Sequence, residues 1–75
     1  MSALAQQIKL YKEGDGDVEI TLRRSASLLT EWEAGYNEVG DWWLEEFKTY
    51  ADAENYFFQL VGSWVMGGFL PERID

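Results

Sequence analysis

Residues Asp41–Trp64 read DWWLEEFKTYADAENYFFQLVGSW and contain most of the chain's aromatic residues, of which there are four each of Trp, Tyr and Phe. Because aromatic side chains bury the largest apolar areas, most of the hydrophobic core must come from this stretch. Its first part, Trp42–Tyr50, alternates in polarity and is rich in aromatic residues, which predicts a β-strand. The second part, about Asp52–Met66, changes to a helical period and predicts an amphipathic helix.

Capping signals mark both ends of this predicted helix. Thr49 and Asp52 are typical of a helix N-terminus, and the pair Gly67-Gly68 is typical of a C-terminus. Gly62 weakens the helix interior unless a neighbouring strand packs close against it. The tail Glu72–Asp75 is expected to fray. Apolar residues expected on the core-facing side of the helix are Phe57, Leu60, Val61, Trp64 and Val65.

The N-terminal third predicts a β-hairpin. Ala5–Lys12 and Asp17–Arg23 both alternate between apolar and polar residues, as half-buried strands do. Between them, Glu13–Gly16 supplies the Gly and Asp residues that tight turns require. The residues expected to face the core are Ile8, Leu10, Val18, Ile20 and Leu22.

The segment Ser25–Gly40 supports two interpretations. A helix would begin at Ser27 or Thr30 and end at Gly40, with Leu28, Leu29, Trp32, Tyr36 and Val39 on one face. A strand would place Leu28, Thr30, Trp32 and Ala34 on one face, with Tyr36–Asp41 as the turn into the next strand. Gly35 would cost a helix about 1 kcal/mol, so we favour the strand.

Together these elements predict a single α+β domain over residues 1–75. Its core would be a small antiparallel sheet of three to four strands packed against one C-terminal amphipathic helix, as a two-layer sandwich. A chain of this length has little depth for a substrate pocket. Because it also lacks the Cys and His residues and the motifs on which most catalytic sites depend, we expect no enzyme activity and no cofactor.

Composition limits location and ligands as well. The formal net charge is −8, which argues against direct binding to nucleic acid or to an anionic membrane. No segment has the pattern of a signal peptide or the length of a membrane span, so we expect a cytoplasmic protein. The acids Asp15, Asp17 and Glu19 lack the spacing of an EF-hand loop, and we interpret them as part of a turn, with no metal site.

The distribution of charge is more informative than its total. Six acids and no base lie between Arg24 and Lys48. Adjacent aromatic residues such as Trp42 and Trp43 would point to opposite faces of a strand, so some aromatic side chains should be exposed beside these acids. Trp and Tyr are common hot-spot residues of protein interfaces. The residues we expect to bind a partner are Glu31, Glu33, Glu38, Asp41, Glu45, Glu46, Trp32, Tyr36 and Trp42.

In style, the chain resembles the small acidic inhibitor proteins of phages and plasmids, the anti-CRISPR and antirestriction group. The shared features are a short chain without Cys, a strand hairpin, an acidic excess, and a strand (Trp42–Tyr50) leading into the helix DAENYFFQLVGSW. Several members of that group bind a CRISPR effector complex or a restriction enzyme, and some block its DNA-binding groove. This resemblance implies a non-enzymatic inhibitor that binds a basic nucleic-acid-handling protein, in one form as a DNA mimic.

Two alternatives remain open. The hairpin followed by TYADAENYFFQL is similar to small antitoxins of the HicB type, which neutralise a basic RNase. A small structural or assembly protein, such as a homodimer or an accessory subunit, would instead associate through exposed aromatic side chains.

Overall fold

The computed structural model describes residues 6–25 and 30–71. Along the chain the elements are β1 (Gln6–Lys12), β2 (Gly16–Arg24), β3 (Trp32–Glu38), β4 (Asp41–Phe47), α1 (Tyr50–Met66) and β5 (Leu70–Pro71). The strands form one antiparallel sheet in the order β4-β3-β2-β1-β5. The predicted α+β architecture is confirmed, and β5 is a short strand that we did not anticipate.

The N-terminal hairpin forms as predicted. Asp15 donates a backbone hydrogen bond of 3.0 Å to the Lys12 carbonyl in the turn between β1 and β2. Gly14 and Gly16 flank it with φ angles of 89° and 91°, a region that residues with a Cβ rarely occupy. Alternation then places one set of apolar side chains under α1. Leu10, Val18, Ile20 and Leu22 are fully buried.

The ambiguous middle segment contains strand β3, as we favoured. Trp32 and Ala34 face the core as predicted. The predicted turn at Tyr36–Asp41 is wrong, because β3 continues through Gly35 to Glu38 and the turn consists of Val39 and Gly40 alone. Both turn residues have positive φ angles, 54° and 85°. The predicted roles of Ala5, Ser27, Leu28, Leu29 and Glu72–Asp75 lie outside the described residues.

Gly35 allows β4 to approach β3 unusually closely. A Cβ atom at this position would lie 1.8 Å from the Trp43 carbonyl oxygen, a distance that no side chain can tolerate. Because Ala34 and Tyr36 face α1, a Cβ atom at Gly35 would point to the opposite face of the sheet. The β4 backbone occupies that space, so β4 leans over the face opposite the helix. In agreement, Thr21, which is paired with Gly35 on that face, is only 6% exposed.

Helix α1 begins at Tyr50, after strand β4 has ended at Phe47. The Thr49 hydroxyl accepts a hydrogen bond of 3.2 Å from the Asp52 backbone N–H, which confirms the predicted N-terminal cap. At the other end Gly67 caps the helix, and its N–H donates to the Trp64 carbonyl at 3.0 Å.

The helix lies mainly over β2 and β3. Ala53 and Phe57 are buried against the sheet, and the predicted core residues Leu60, Val61 and Trp64 are half-buried. Val65 is corrected to a surface residue because it lies on the flank of the helix and remains 41% exposed.

The face of the sheet opposite α1, here called the open face, is polar along its middle strands. By register it carries side chains from all four long strands. They include Lys9, Glu19, Thr21, Arg23, Glu33, Asn37, Trp42, Leu44 and Glu46.

We expect alanine substitution of Gly62 and of Gly35 to change the free energy of unfolding in opposite directions. Gly62 is exposed and a Cβ there would meet nothing within 4 Å, so Gly62→Ala should raise the free energy of unfolding by about 0.5–1 kcal/mol through helix propensity. Gly35→Ala forces β4 away from β3 and should lower the free energy of unfolding by about 3 kcal/mol. Urea unfolding followed by circular dichroism measures both. Similar effects of the two substitutions would contradict this packing.

Candidate protein-binding site on the β3–β4 hairpin

Of the six acids between Arg24 and Lys48, five lie in β3 and β4, and Glu31 directly precedes β3. In the strand register Glu33 pairs with Glu46, and Glu38 pairs with Asp41. Each pair therefore sets two carboxylates directly opposite each other, at the two ends of the hairpin. Like charges in directly opposed positions destabilise a sheet unless something neutralises them.

Two of these acids are neutralised within the chain. The Arg23 guanidinium donates through Nε to the Glu33 carboxylate. Arg24 forms a longer ion pair with Glu31, with 3.6 Å between Nη1 and Oε1. Both arginines come from strand β2, so the pairing depends on the sheet order and not on proximity in sequence.

The other four acids have no basic partner. Glu38, Asp41, Glu45 and Glu46, here called the acidic edge, form no ion pair with any residue in the described part of the chain. Glu46 accepts a hydrogen bond of 3.1 Å from the Thr30 hydroxyl, which leaves its charge in place. The acidic edge is thus the part of the hairpin where negative charge is not compensated.

A second acidic region, around the β1–β2 turn, is compensated in part. Lys12 pairs with Asp15 at 3.5 Å between Nζ and Oδ2, and Lys9 is directly opposite Glu19 in the strand register. Asp15, Asp17 and Glu19 line a shallow cleft of about 560 Å³ that Lys9 also lines. These interleaved lysines make the turn a weaker attractor for cations than the acidic edge.

Aromatic side chains accompany the acidic edge on both faces of β4. Trp42 and Trp43 are 42% and 49% exposed. On the helix side, the Trp43 ring stacks on the half-buried Tyr36 ring at 5.2 Å between centroids, and Tyr36 meets Trp64 edge-to-face at 5.6 Å. Of the predicted binding residues, Trp42 is therefore at the surface, and Tyr36 supports the exposed Trp43.

Trp32 is corrected from a binding residue to a core residue. Only 7% of its surface is exposed. Its ring packs edge-to-face against Tyr50 at 4.9 Å between centroids, and the Arg24 guanidinium covers it at 4.6 Å. Trp32 is buried because it follows the alternation of Ala34 and Tyr36 toward the helix.

Sequence reasoning missed two residues of this surface, Trp43 and Arg23. Alternation indicates that Trp42 and Trp43 point in opposite directions, but it cannot show that both are exposed, which follows from the position of β4 at the edge of the sheet. Arg23 lies over the Trp42 ring at 5.3 Å while it binds Glu33. No local pattern indicates this contact, because it joins three strands.

Tyr56 reports on the electrostatics beside the acidic edge. Its ring packs against Phe47 of β4 at 5.4 Å between centroids. Burial raises the pKa of the Tyr56 hydroxyl above its usual value of 10.0, and the nearby charge of Glu45 raises the pKa further, followed by Tyr36.

The opposed carboxylates make a prediction for stability. Glu38→Gln removes a repulsion that nothing in the described residues offsets, so it should raise the free energy of unfolding by about 0.2–1 kcal/mol at low salt. The matched variant Glu33→Gln removes the partner of Arg23 and should give no such gain. Urea unfolding at low and high salt compares the two variants, and an equal gain for both would contradict the charge assignment.

Tyr56 also predicts a dependence on alkaline pH. Because its pKa is raised in the folded state, the unfolded chain loses this proton first, and the free energy of unfolding should fall as the pH rises above 10. Tyr56→Phe should make that fall shallower, and Glu45→Gln should do so in part. Urea unfolding across this pH range measures the slope. A slope unchanged by Tyr56→Phe would contradict the assignment.

In comparisons with protein-family models, with curated proteins and with solved structures, no match was found. Among the described residues, no helix is long and apolar enough to cross a membrane. A functional assignment therefore depends on the positions, partners and charges of this chain's own residues.

Proposed function

We propose that the protein is a non-enzymatic inhibitor that binds a basic, nucleic-acid-handling protein, such as a nuclease or a CRISPR effector complex, through the acidic edge. The observation that carries this proposal is the set of four carboxylates on one hairpin without a basic partner in the described part of the chain. Exposed Trp42 and Trp43 lie among them and supply the apolar contacts that interface centres use.

The energetics favour a cationic partner. In the free protein the opposed pair Glu38 and Asp41 costs stability. Lysine or arginine side chains placed against this pair would replace repulsion by attraction. The net charge of −8 would also accelerate association with a positively charged surface at low ionic strength.

A DNA-mimic form of the proposal has a geometric basis. Asp41 and Glu45 belong to the acidic edge, share one face of β4 and are four residues apart, which corresponds to about 14 Å along a strand. The rise of a β-strand per residue is close to the rise of about 3.4 Å between phosphates along one DNA strand. Carboxylates on such a strand can therefore meet basic groups that are spaced for a nucleic-acid backbone.

A second candidate function is assembly through exposed aromatic and aliphatic side chains. Trp42, Trp43 and Leu44 are consecutive on β4 and are 42%, 49% and 36% exposed. A homodimer or an accessory subunit could bury this surface without using the charges. This alternative predicts that removing the acids leaves association intact.

The binding surface can be tested by charge reversal. We expect affinity capture from a lysate of the natural host to retain a basic nucleic-acid-handling protein on the wild-type chain. Reversal of Glu38, Asp41, Glu45 and Glu46 to Lys should abolish this retention. The control reverses Glu13, Asp15, Asp17 and Glu19, which changes the net charge equally, and should retain the partner. Circular dichroism establishes that both variants fold.

The outcomes separate the candidate functions. Retention of the same partner by the acidic-edge variant would contradict the proposal. If excess duplex DNA displaces the partner, the DNA-mimic form is supported. If the partner is still retained in the presence of excess duplex DNA, the protein binds outside the partner's nucleic-acid channel. Recovery of this chain alone, unaffected by either reversal, would favour assembly through aromatic side chains.

A further inference from the structure

The two edges of the sheet differ sharply. Strand β5 consists of Leu70 and Pro71 only, and Pro has no N–H to offer, so this edge is too short and too poor in donors to accept another strand. Strand β4 is seven residues long, contains no Pro, and forms the opposite edge. Such an edge presents unpaired N–H and C=O groups along its whole length.

Nothing in the described part of the chain pairs with the outer side of β4. Its inner side is paired with β3 along seven register positions. Helix α1 packs chiefly over β2 and β3 and makes fewer contacts with β4. All residues of β4 except Phe47 are exposed, and the middle of the strand is apolar. An edge meant only to stay in water would be polar at its centre, so the surface has the composition of an interface.

The acidic side chains of β4 determine which kind of strand can pair with this edge. Antiparallel pairing of β4 with a second copy of itself in full register would place Glu45 diagonally between Asp41 and Glu45 of the copy, with no base nearby to offset the repulsion. Same-sign charges across paired strands are unfavourable. A strand that carries basic side chains would be attracted by the same carboxylates, so the acids both prevent self-pairing and favour a basic partner.

The protein's own contacts indicate which basic side chain fits. On the open face, Arg23 binds the Glu33 carboxylate while its guanidinium lies over the Trp42 ring at 5.3 Å. On the helix face, Trp43 and Glu45 also place an aromatic ring and a carboxylate side by side, here two residues apart on the single strand β4. No arginine in the described part of the chain forms an ion pair with Glu45 or lies over the Trp43 ring. Half of the Trp43 surface is exposed and can accept a guanidinium.

We propose that β4 accepts an extended, arginine-containing segment of the partner protein as an additional strand, with an arginine side chain bound by Trp43 and Glu45. This inference rests on the proposed function and adds the mode of binding to it. Backbone hydrogen bonds to the edge supply affinity, and the alternating side chains of the added strand supply specificity.

The test uses a blocked synthetic peptide of the same length as β4 in which arginine and valine alternate. Hydrogen exchange of the ¹⁵N-labelled protein is followed by NMR with and without the peptide. We expect exchange of alternate β4 amides to slow at least about tenfold, because alternate N–H groups of an edge strand point outward and gain partners. Glu45→Gln should weaken peptide binding about two- to fivefold, the effect of one surface ion pair. The control Asp17→Asn, which lies on β2, should leave the affinity unchanged.

Four results would overturn the inference. They are absence of binding, binding without slower exchange in β4, equal binding of a matched peptide in which glutamate replaces arginine, and β4 amides already protected in a dimer of the free protein. If the natural partner is lost on charge reversal of the acidic edge while β4 exchange stays fast in its complex, the proposed function stands and only the strand-addition mode fails.

Discussion

The close approach of β4 to β3 at Gly35 is the constraint on which the rest of the hairpin depends. With no side chain at this position, the β4 backbone can lie within 1.8 Å of where a Cβ would be. On the helix face, Trp43 stacks on Tyr36 and Phe47 packs against Tyr56. These ring contacts tie β4 to the core, although nearly all of the strand is exposed. The edge strand is therefore held by contacts on both of its faces although none of its residues is buried.

Part of this structure could be predicted from local patterns, and the reasons for the misses are physical. Alternation identified the inward faces of β1 and β2, and the capping residues Thr49 and Gly67 identified the ends of α1, because these signals lie within a few residues of what they determine. The role of Gly35 depends on a strand that lies elsewhere in the sequence. The burial of Trp32 and the exposure of Val65 depend on where the helix crosses the sheet, which residue periodicity does not specify.

The candidate site was predictable to a similar extent. The base-free run between Arg24 and Lys48 correctly indicated that acids would concentrate in one region, since β3 and β4 are consecutive strands. It could not distinguish Glu31 and Glu33, which are neutralised by arginines of β2, from the four acids of the acidic edge. Net charge is a property of composition, whereas uncompensated charge depends on which strands are neighbours. The second property is the one that a binding partner would meet.

Electrostatic attraction between the acidic edge and a basic protein underlies the proposed function, and it is measured most directly by the dissociation constant of the partner complex as a function of salt concentration. Exposed charges lose most of their interaction when the Debye length falls from about 30 Å at 0.01 M salt to about 8 Å at 0.15 M. We predict that the dissociation constant rises steeply across this range. A dissociation constant that barely changes with salt would contradict electrostatic binding and would favour association through Trp42, Trp43 and Leu44 instead.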